Sequence, residues 1–368
     1  KTANSWIEKL EQGMTSNNSH QLKKNKKNHQ KWWDEFWNKS WIRITGSPEV
    51  ESVTQAYTLQ RSVSACAGRG AYPIKFNGSI FNVDGDGFDP DYRRWGGPYW
   101  WQNTRLPYWP MLASGDFDMM RPLFKMYQDM LSLAEYRTRQ WHGHDGAFIG
   151  ETVYFWGMYT NTNYGWERDP EAPVGVLNNR YIRYEFTASL ELLAMMLDYF
   201  SYTGDAQFLQ HNLLPMSDTL LEFWDQHYQL TTNGKMKMYP AQALETLQDA
   251  ENPTPDIAGL RWVVSTLLAL DESQTGHERR DFWQKLLAKT PPLPMTTIDG
   301  KTSIIGAAKN FDGRKNVENP ELYAVFPFRL YGIDKPNLDI GRATFDRRVE
   351  KGSSGWQQDD TQAAFLGL

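Results

Sequence analysis

The chain has 368 residues, of which 40% are hydrophobic, 23% charged and 14% aromatic, and its formal net charge is −5. This composition excludes a highly charged disordered chain and a membrane bundle, and the acidic excess argues against a protein that binds nucleic acid by neutralising phosphates. The sequence contains no apolar run of about 18 residues and no basic-then-apolar leader, so we expect no membrane partner. The single cysteine excludes an internal disulfide.

The first predicted helix covers residues 20–42. Trp33, Phe36, Trp37 and Trp41 recur there at spacings of three and four, which places their rings on one helix face that we expect to be buried. Alternation of β-branched residues is scarce, so helices dominate the prediction. Further helices are predicted at 49–67, 116–138, 181–202, 205–229, 256–270, 279–289 and 356–366.

Long loops separate these helices, and they are rich in glycine, proline and asparagine. Most connections in compact domains are short, and long loops on a rigid scaffold usually carry function. Helices that alternate with long loops suggest a toroid of paired helices with its site at one end. The predicted loops are 77–103, 139–180, 231–255 and 290–320.

The aromatic content, 16 Trp, 18 Tyr and 18 Phe, favours a sugar ligand in an acidic chain, because flat rings stack on the C–H faces of sugars. The alternative is that the rings only fill a large core. Residues 96–110 surround several polar side chains with five rings, a mixture that a ligand pocket requires.

Carboxylates at two distant positions suggest hydrolytic chemistry. Glu245 lies in an aromatic-bounded loop with no evident structural role, whereas Asp359 and Asp360 begin the last predicted helix. Glycoside hydrolysis needs one protonated and one ionised carboxyl group at the same site. For the aspartate pair, a simple preference of acidic residues for a helix N-terminus remains an equal alternative.

Metal and cofactor sites are not predicted. The seven histidines lack metal-ligand spacing, and neither a HExxH, a GxSxG nor a phosphate-loop motif occurs. The acidic run 84–91 matches a calcium loop poorly, since its sixth and twelfth positions are Asp89 and Trp95.

A succession of segments resembles the catalytic domain of family 95 glycoside hydrolases, the inverting α-L-fucosidases and their relatives. It runs from FNGSIF at 76–81 through NTRLPYWP at 103–110 to RPLF at 121–124, and later segments agree in order up to Ser354-Gly-Trp356. The resemblance implies an all-α fold, an (α/α)6 barrel or helical toroid with long functional loops. It also implies N-terminal linker helices at 1–48 and a catalytic domain at 49–368. Because the chain stops just after the predicted helix 356–366, we expect this domain to be truncated at its C-terminus.

The resemblance also assigns roles. Glu245 matches the general acid of the family, and Asn103 matches the second of two asparagines that hold the attacking water. Trp101 replaces the first asparagine, and no aspartate stands at the base position just before Gly-Trp. We therefore expect Asp359 to act as the base or water-positioning carboxylate, with Asp360 second. The expected sugar-binding residues are Trp100, Trp101, Trp109, Glu151, Tyr154, Trp156, Glu318, Glu321 and Trp356.

The function expected from the sequence is that of a periplasmic or secreted glycoside hydrolase, inverting and exo-acting on a plant or algal glycan. Its partner would be an oligosaccharide or polysaccharide, with no cofactor, metal or nucleic acid, and its oligomeric state stays open. Two alternatives remain: a polysaccharide lyase of the helical-toroid type, and a non-catalytic glycan-binding relative that has lost turnover with the replaced residues.

Overall fold

The computed structural model describes residues 2–16, 19–77, 79–81, 87, 95–352 and 357–368. Helices dominate these residues, and their strands form three small antiparallel sheets, which confirms the expected helical class. The chain divides into two compact units. Unit 1 combines residues 1–63 with 113–116, and unit 2 combines residues 64–112 with 117–368.

Unit 1 is built from three helices, α1 (Ala3–Ser16), α2 (Ser19–Lys39) and most of α3 (Pro48–Ala67). In α2, rings four residues apart stack in pairs: Trp32 on Phe36 and Trp33 on Trp37, with centroid distances of 5.3 and 6.2 Å. Phe36 is buried, but Trp41 follows the end of the helix and is 71% exposed. The expectation that Trp41 shares the buried face is therefore wrong.

A buried ion pair joins the parts of unit 1. The Arg61 guanidinium on α3 bonds both carboxylate oxygens of Asp116 at 2.9 Å, and it also donates to the carbonyl groups of Phe36 and Ser40. Its centre lies 4.1 Å from the Phe36 ring centroid. Because Arg61 satisfies the last carbonyls of α2, it stabilises the end of that helix against α3.

Unit 2 contains the remaining helices. Its predicted helix 116–138 is broken at Met130, and the predicted helix 181–202 begins only at Thr187, after a 3₁₀ turn. The helices are α4 (Trp101–Thr104), α5 (Trp109–Ser114, shared with unit 1), α6 (Phe117–Asp129), α7 (Leu131–His142), α8 (Asn161–Tyr164), α9 (Thr187–Thr203), α10 (Ala206–Phe208), α11 (Leu214–His227), α12 (Thr254–Ala269), α13 (Glu272–Thr275), α14 (His277–Lys289), α15 (Leu338–Arg347) and α16 (Asp359–Phe365), with 3₁₀ turns Arg180–Ile182 and Pro320–Ala324 and a π turn Leu209–Leu213.

The core of unit 2 is centred on α9 and α12. Helix α9 is mostly apolar on all sides, and every side chain from Thr187 to Tyr199 is buried, including Glu191 and Asp198, which pair with arginines. The two helices approach closely at Gly259, where a Cβ atom would stand 2.8 Å from both Leu190 Cδ1 and Phe328 Cζ. Only glycine permits this close packing, which holds the scaffold under the site rigid.

The strands lie in segments that we predicted as long loops. One sheet pairs β1 (Tyr99–Trp100) with β2 (Thr152–Val153), a second has the order β3 (Ala241–Ala243), β4 (Leu247–Pro253), β7 (Ala307–Asn310), and a third pairs β5 (Met295–Ile298) with β6 (Lys301–Ile304). Ala243, Leu247, Ala250 and Ala307 form a small buried cluster in the second sheet. These strands are short and lack β-branched alternation, so their pairing depends on tertiary contacts that local pattern does not report.

None of the helices in the described parts of the chain combines the length and apolar character needed to cross a bilayer.

Candidate active site

The first wall of the site is formed by β1, β2 and α4. The antiparallel pairing sets Trp100 opposite Thr152, and the backbone N–H of Trp101 donates to the carbonyl of Glu151 at 2.7 Å. This pairing places the side chains that follow it, Gln102 and Asn103 on α4 and Tyr154 after β2, around one cavity.

The opposite wall is the turn between β3 and β4, which carries Glu245. Leu244 has a φ of 57°, a left-handed conformation that costs a non-glycine residue energy. The Gln242 carboxamide stabilises the turn, since its Nε2 donates to the carbonyls of Leu244 at 2.8 Å and Tyr181 at 2.5 Å, and its Oε1 accepts from the N–H of Tyr184. The strained turn therefore presents Glu245 at a fixed position.

Between these walls lies a cavity of about 780 Å³, within the range of small-ligand pockets. Among the described residues, its lining combines five aromatic rings with amide and hydroxyl side chains, one ammonium group and one carboxyl group. This combination suits a sugar, whose C–H faces stack on rings while its hydroxyls need donors and acceptors. The lining residues are Phe76, Trp95, Pro98, Trp100, Gln102, Asn103, Tyr154, Thr160, Thr162, Asn163, Asn179, Tyr181, Glu245, Lys315 and Asn316.

Glu245 has the electrostatic character of a proton donor. Burial raises its pKa to about 7, although a hydrogen bond from Asn316 Nδ2 to Oε2, 2.7 Å long, lowers it. The carboxyl group is therefore partly protonated at neutral pH, which a general acid requires. The structure brings Glu245 together with Asn103, Trp100 and Tyr154, all of which we selected from the sequence.

Behind Gln102 lies a buried ionic group centred on Glu318. Gln102 Nε2 donates to Glu318 Oε2 at 2.6 Å, while Arg105 Nη2 at 3.3 Å and Tyr323 Oη at 3.0 Å donate to Oε1. Arg105 also pairs with Glu191, and it is entirely buried. Burial raises the pKa of Glu318 to about 7, against the lowering effect of Arg105 and Tyr323. Glu318 is 3% exposed and is absent from the described cavity lining, but it bonds Gln102, which belongs to that lining.

Glu151 occupies a similar position behind α4. Its Oε1 accepts the backbone N–H of Gln102 at 2.7 Å, while its Oε2 is buried with no partner in the described structure. Burial raises the pKa of Glu151 well above its usual range, and the neighbouring Glu185 adds to the shift. Glu151 therefore holds α4 in place from behind, rather than facing the cavity.

Asp359 lies apart from Glu245. It is 6% exposed, Arg348 Nε donates to its Oδ1 at 2.6 Å, and it borders a separate cavity of about 10 Å³ together with Glu318. Burial raises the pKa of Asp359, and Arg348 opposes the shift. Asp359, the first residue of α16, is not among the described residues that line the cavity beside Glu245, and its side chain is turned toward Arg348. Asp360, next to it, is exposed.

Several expected sugar contacts also lie elsewhere. Trp101 is fully buried and packs edge-on against Tyr127, so it belongs to the core rather than to the lining. Trp109 packs against Phe326, and Glu321 is buried near Arg314, away from the cavity lining. Trp156 stacks on Tyr154 outside the lining, and Trp356 falls outside the described residues.

The structure adds site residues that sequence reasoning missed. Gln102 and Asn316 contact the two key carboxyl groups, Glu318 and Glu245. Asn163 and Asn179 bond each other through their side chains at 2.9 Å on the rim of the same cavity. Gln102 could have been selected from the sequence because it directly precedes Asn103, the first residue of the NTRLPYWP segment. No comparable sequence feature marks Asn163, Asn179 or Asn316.

Among the side chains that the structure describes, no three or more His, Cys, Asp and Glu groups are placed to hold a metal ion. The acidic run 84–91 lies outside the described residues, apart from Gly87.

Comparison with known families agrees with this geometry. The profile of the "Glycosyl hydrolase family 95 catalytic domain" matches residues 65–364. The chain belongs to this family. Comparison with curated proteins gives no match. Among solved structures the chain is similar to the "Putative kojibiose phosphorylase from human microbiome", with a TM-score of 0.55 and 17% identity over 78% of this chain. At this identity the likeness concerns the fold, and the chain spans 36% of the length of that structure.

The matched region contains every described residue of the cavity lining, so the cavity lies within the catalytic domain that defines the family. The similarity to this solved structure supports the helical fold independently of the family profile.

Proposed function

We propose that this family 95 domain hydrolyses O-glycosidic bonds with Glu245 as the general acid. The observation that carries the proposal is the pKa of Glu245, raised to about 7 by burial, in a cavity lined by rings and amides. The proposed architecture is an (α/α)6 barrel formed by residues 49–368, with residues 1–48 as linker helices.

In the proposed reaction Glu245 gives its proton to the leaving glycosidic oxygen. The carboxamides of Gln102 and Asn103, adjacent on α4, orient the attacking water. Glu318 accepts hydrogen bonds from Gln102, Arg105 and Tyr323, which favour its ionised form, and in that form it stabilises positive charge at the anomeric carbon. As it bonds to the anomeric carbon, the attacking water loses one proton to solvent and becomes the new hydroxyl, and Glu245 regains a proton from solvent after the product leaves. Attack on the face opposite the leaving group inverts the anomeric configuration.

The proposed substrate is a plant or algal glycan, cut from its end. A cavity of about 780 Å³, in place of an open groove, favours exo action because it closes around terminal sugar units. We propose a periplasmic or secreted location, in keeping with a glycan substrate.

The test is a screen of aryl glycosides and oligosaccharides with three proteins: the wild type, Glu245→Gln, and Glu278→Gln as a matched control. Glu278 is an exposed carboxylate on α14. We expect Glu245→Gln to lose at least about 100-fold in kcat/KM, the usual contribution of a general acid, while the control keeps full activity. Equal activity of all three proteins would contradict the proposal.

A second candidate is phosphorolysis, favoured by one observation. In the described lining Glu245 is the sole carboxyl group, and Lys315 supplies a cation. A phosphate nucleophile carries its own negative charge and needs no second carboxylate. Formation of a sugar 1-phosphate only when inorganic phosphate is added would identify this reaction.

Two further outcomes of the same screen would support the alternatives from the sequence. An unsaturated uronate product would indicate a lyase. Binding of glycans without any cleavage by the wild type would indicate a non-catalytic relative.

A further inference from the structure

Three consecutive aromatic residues occupy the turn that follows β2. Tyr154 lines the cavity, and its ring stacks on Trp156 with a centroid distance of 4.4 Å and an interplanar angle of 7°. Trp156 is nevertheless 47% exposed, and Phe155 between them is 42% exposed. The aromatic surface of the cavity therefore continues outward past its rim.

The surface extends further through Phe155. Its ring lies 4.6 Å from that of Trp156 and 4.6 Å from that of Tyr72, which is 48% exposed. We call Tyr72, Phe155 and Trp156 the aromatic platform. Contiguous exposed rings of this kind are uncommon on a soluble domain unless they bind something.

The turn that carries the platform is held in one conformation. The N–H of Gly157 donates to the carbonyl of Tyr154, and the N–H of Tyr154 donates to the carbonyl of Met158, each at 2.8 Å. Gly157 has a φ of 93°, and a Cβ atom there would stand 3.0 Å from Met130 Cβ. A side chain at this position would therefore disturb the turn.

A buried arginine fixes the turn from below. Arg137, 6% exposed, donates from Nη1 to the carbonyl of Gly157 at 2.6 Å and from Nη2 to the carbonyl of Phe148 at 3.3 Å. Among the described residues no carboxylate pairs with it, and burial lowers its pKa. Its guanidinium also lies 5.7, 5.0 and 5.2 Å from the ring centroids of Trp141, Phe148 and Tyr159, and these contacts offset part of the free energy that its burial costs.

We propose that the aromatic platform binds the sugar units that follow the one in the cavity, so that the substrate is a glycan of at least three units. The inference rests on the proposed function for the ligand in the cavity. Sugars are the occupant because the platform is continuous with the amide-lined cavity through the stacked pair of Tyr154 and Trp156. The exposed parts of these rings offer apolar surface on which the C–H groups of two or more further units can pack.

The experiment measures binding without turnover, in the Glu245→Gln background. Native gels cast with xyloglucan, pectin or fucoidan report affinity as retardation, and calorimetry then measures Kd for oligosaccharides of increasing length from the retarding polymer. The variants are Trp156→Ala, Trp156→Tyr as the conservative replacement, and Tyr202→Ala, an exposed ring of unit 2 outside the platform.

We expect Trp156→Ala to weaken binding of trisaccharides and longer glycans about tenfold, the equivalent of about 1.4 kcal/mol. Binding of the monosaccharide should be unchanged, Trp156→Tyr should retain most affinity, and Tyr202→Ala should match the parent. Circular dichroism and thermal unfolding check that each variant folds.

Two results would contradict the proposal that the aromatic platform binds sugar units. One is no retardation of the Glu245→Gln parent in any gel, and the other is equal retardation of this parent and its Trp156→Ala variant. Neither decides the proposed function, which depends on cleavage of small aryl glycosides by the wild type. Conversely, a wild type that cleaves no glycoside but is retarded through Trp156 would refute hydrolysis and leave the platform intact.

Discussion

Asn316 Nδ2 lies 2.7 Å from Glu245 Oε2 and donates a hydrogen bond to it. Burial raises the pKa of Glu245 to about 7, and this hydrogen bond limits the rise because it stabilises the carboxylate form. The amide therefore adjusts the pH above which the proposed acid loses its proton.

Replacing Asn316 with alanine should raise the pKa of Glu245 further. Since the acid must be protonated to work, the alkaline limb of the kcat/KM profile should move to higher pH in Asn316→Ala. Activity measured from pH 5 to 10 with an aryl glycoside checks the shift. A limb that stays in place or moves to lower pH would contradict the role given to the amide.

We expect the hydrogen bond between Gln102 and Glu318 to contribute to catalysis, because it fixes the orientation of the Gln102 carboxamide. A carboxylate at Glu318 can only accept, so it orients the Gln102 NH₂ group toward itself and leaves the carbonyl oxygen for the cavity. Glu318→Gln removes this constraint, and we expect kcat to fall about tenfold or more with a smaller change in KM.

A double-mutant cycle separates this positioning role from a structural one. In a Gln102→Ala background, Glu318→Gln should cause little further loss, because the group it orients is gone. An undiminished loss in that background would mean that Glu318 acts through Arg105 and the core instead.

Asp359→Asn should keep most of the activity. The carboxylate is held by Arg348 beside a separate small cavity, and it does not border the cavity that contains Glu245. Steady-state kinetics on the substrate found in the screen decides the point. A loss comparable to that of Glu245→Gln would restore Asp359 as the base expected from the sequence.

Asp256 should make stability depend on pH. Burial raises its pKa from 3.8 to about 8, so the folded state keeps it protonated where the unfolded chain ionises. The raised pKa of Asp256 therefore stabilises the folded state fully below about pH 4. This contribution is lost as the pH rises from about 4 to about 8, by about 1.4 kcal/mol for each pH unit.

Asp256→Asn removes that titration while its side-chain oxygen can still accept from Thr187 Oγ1, 2.6 Å away in the wild type. Between pH 5 and 8, the Tm of the wild type should therefore fall more than the Tm of Asp256→Asn. The exposed Asp339→Asn serves as the control and should follow the wild type. Parallel curves for all three proteins would show that Asp256 ionises normally.

The helical class was predictable because alternation of β-branched residues is scarce and long apolar segments such as those of α9 and α12, which pack on each other, suit buried helices. The hairpin of β3 and β4 was not predictable. Its strands are short and contain alanine, glutamine and asparagine, so tertiary pairing outweighs local propensity there. The predicted helix boundaries are wrong where a single residue, such as Met130 between α6 and α7, interrupts the helix although the helical sequence pattern continues.

In the site, motif position identified Glu245 and Asn103, but it could not tell which neighbours face the cavity. Helix α4 has only four residues, and its orientation buries Trp101 against Tyr127 while Gln102 reaches the lining. That orientation is set by bonds to Glu151, 49 residues away from Gln102 in sequence. Contacts between distant segments of this kind leave no local signal.

The central claim, that Glu245 donates a proton to the leaving group, is tested most directly by varying that group. An alkyl glycoside needs a proton on its leaving oxygen, whereas a glycosyl fluoride of the same sugar departs without one. We predict that Glu245→Gln lowers kcat/KM at least about 100-fold for the alkyl glycoside but only a few-fold for the fluoride. Equal losses on both substrates would contradict the assignment of Glu245 as the general acid.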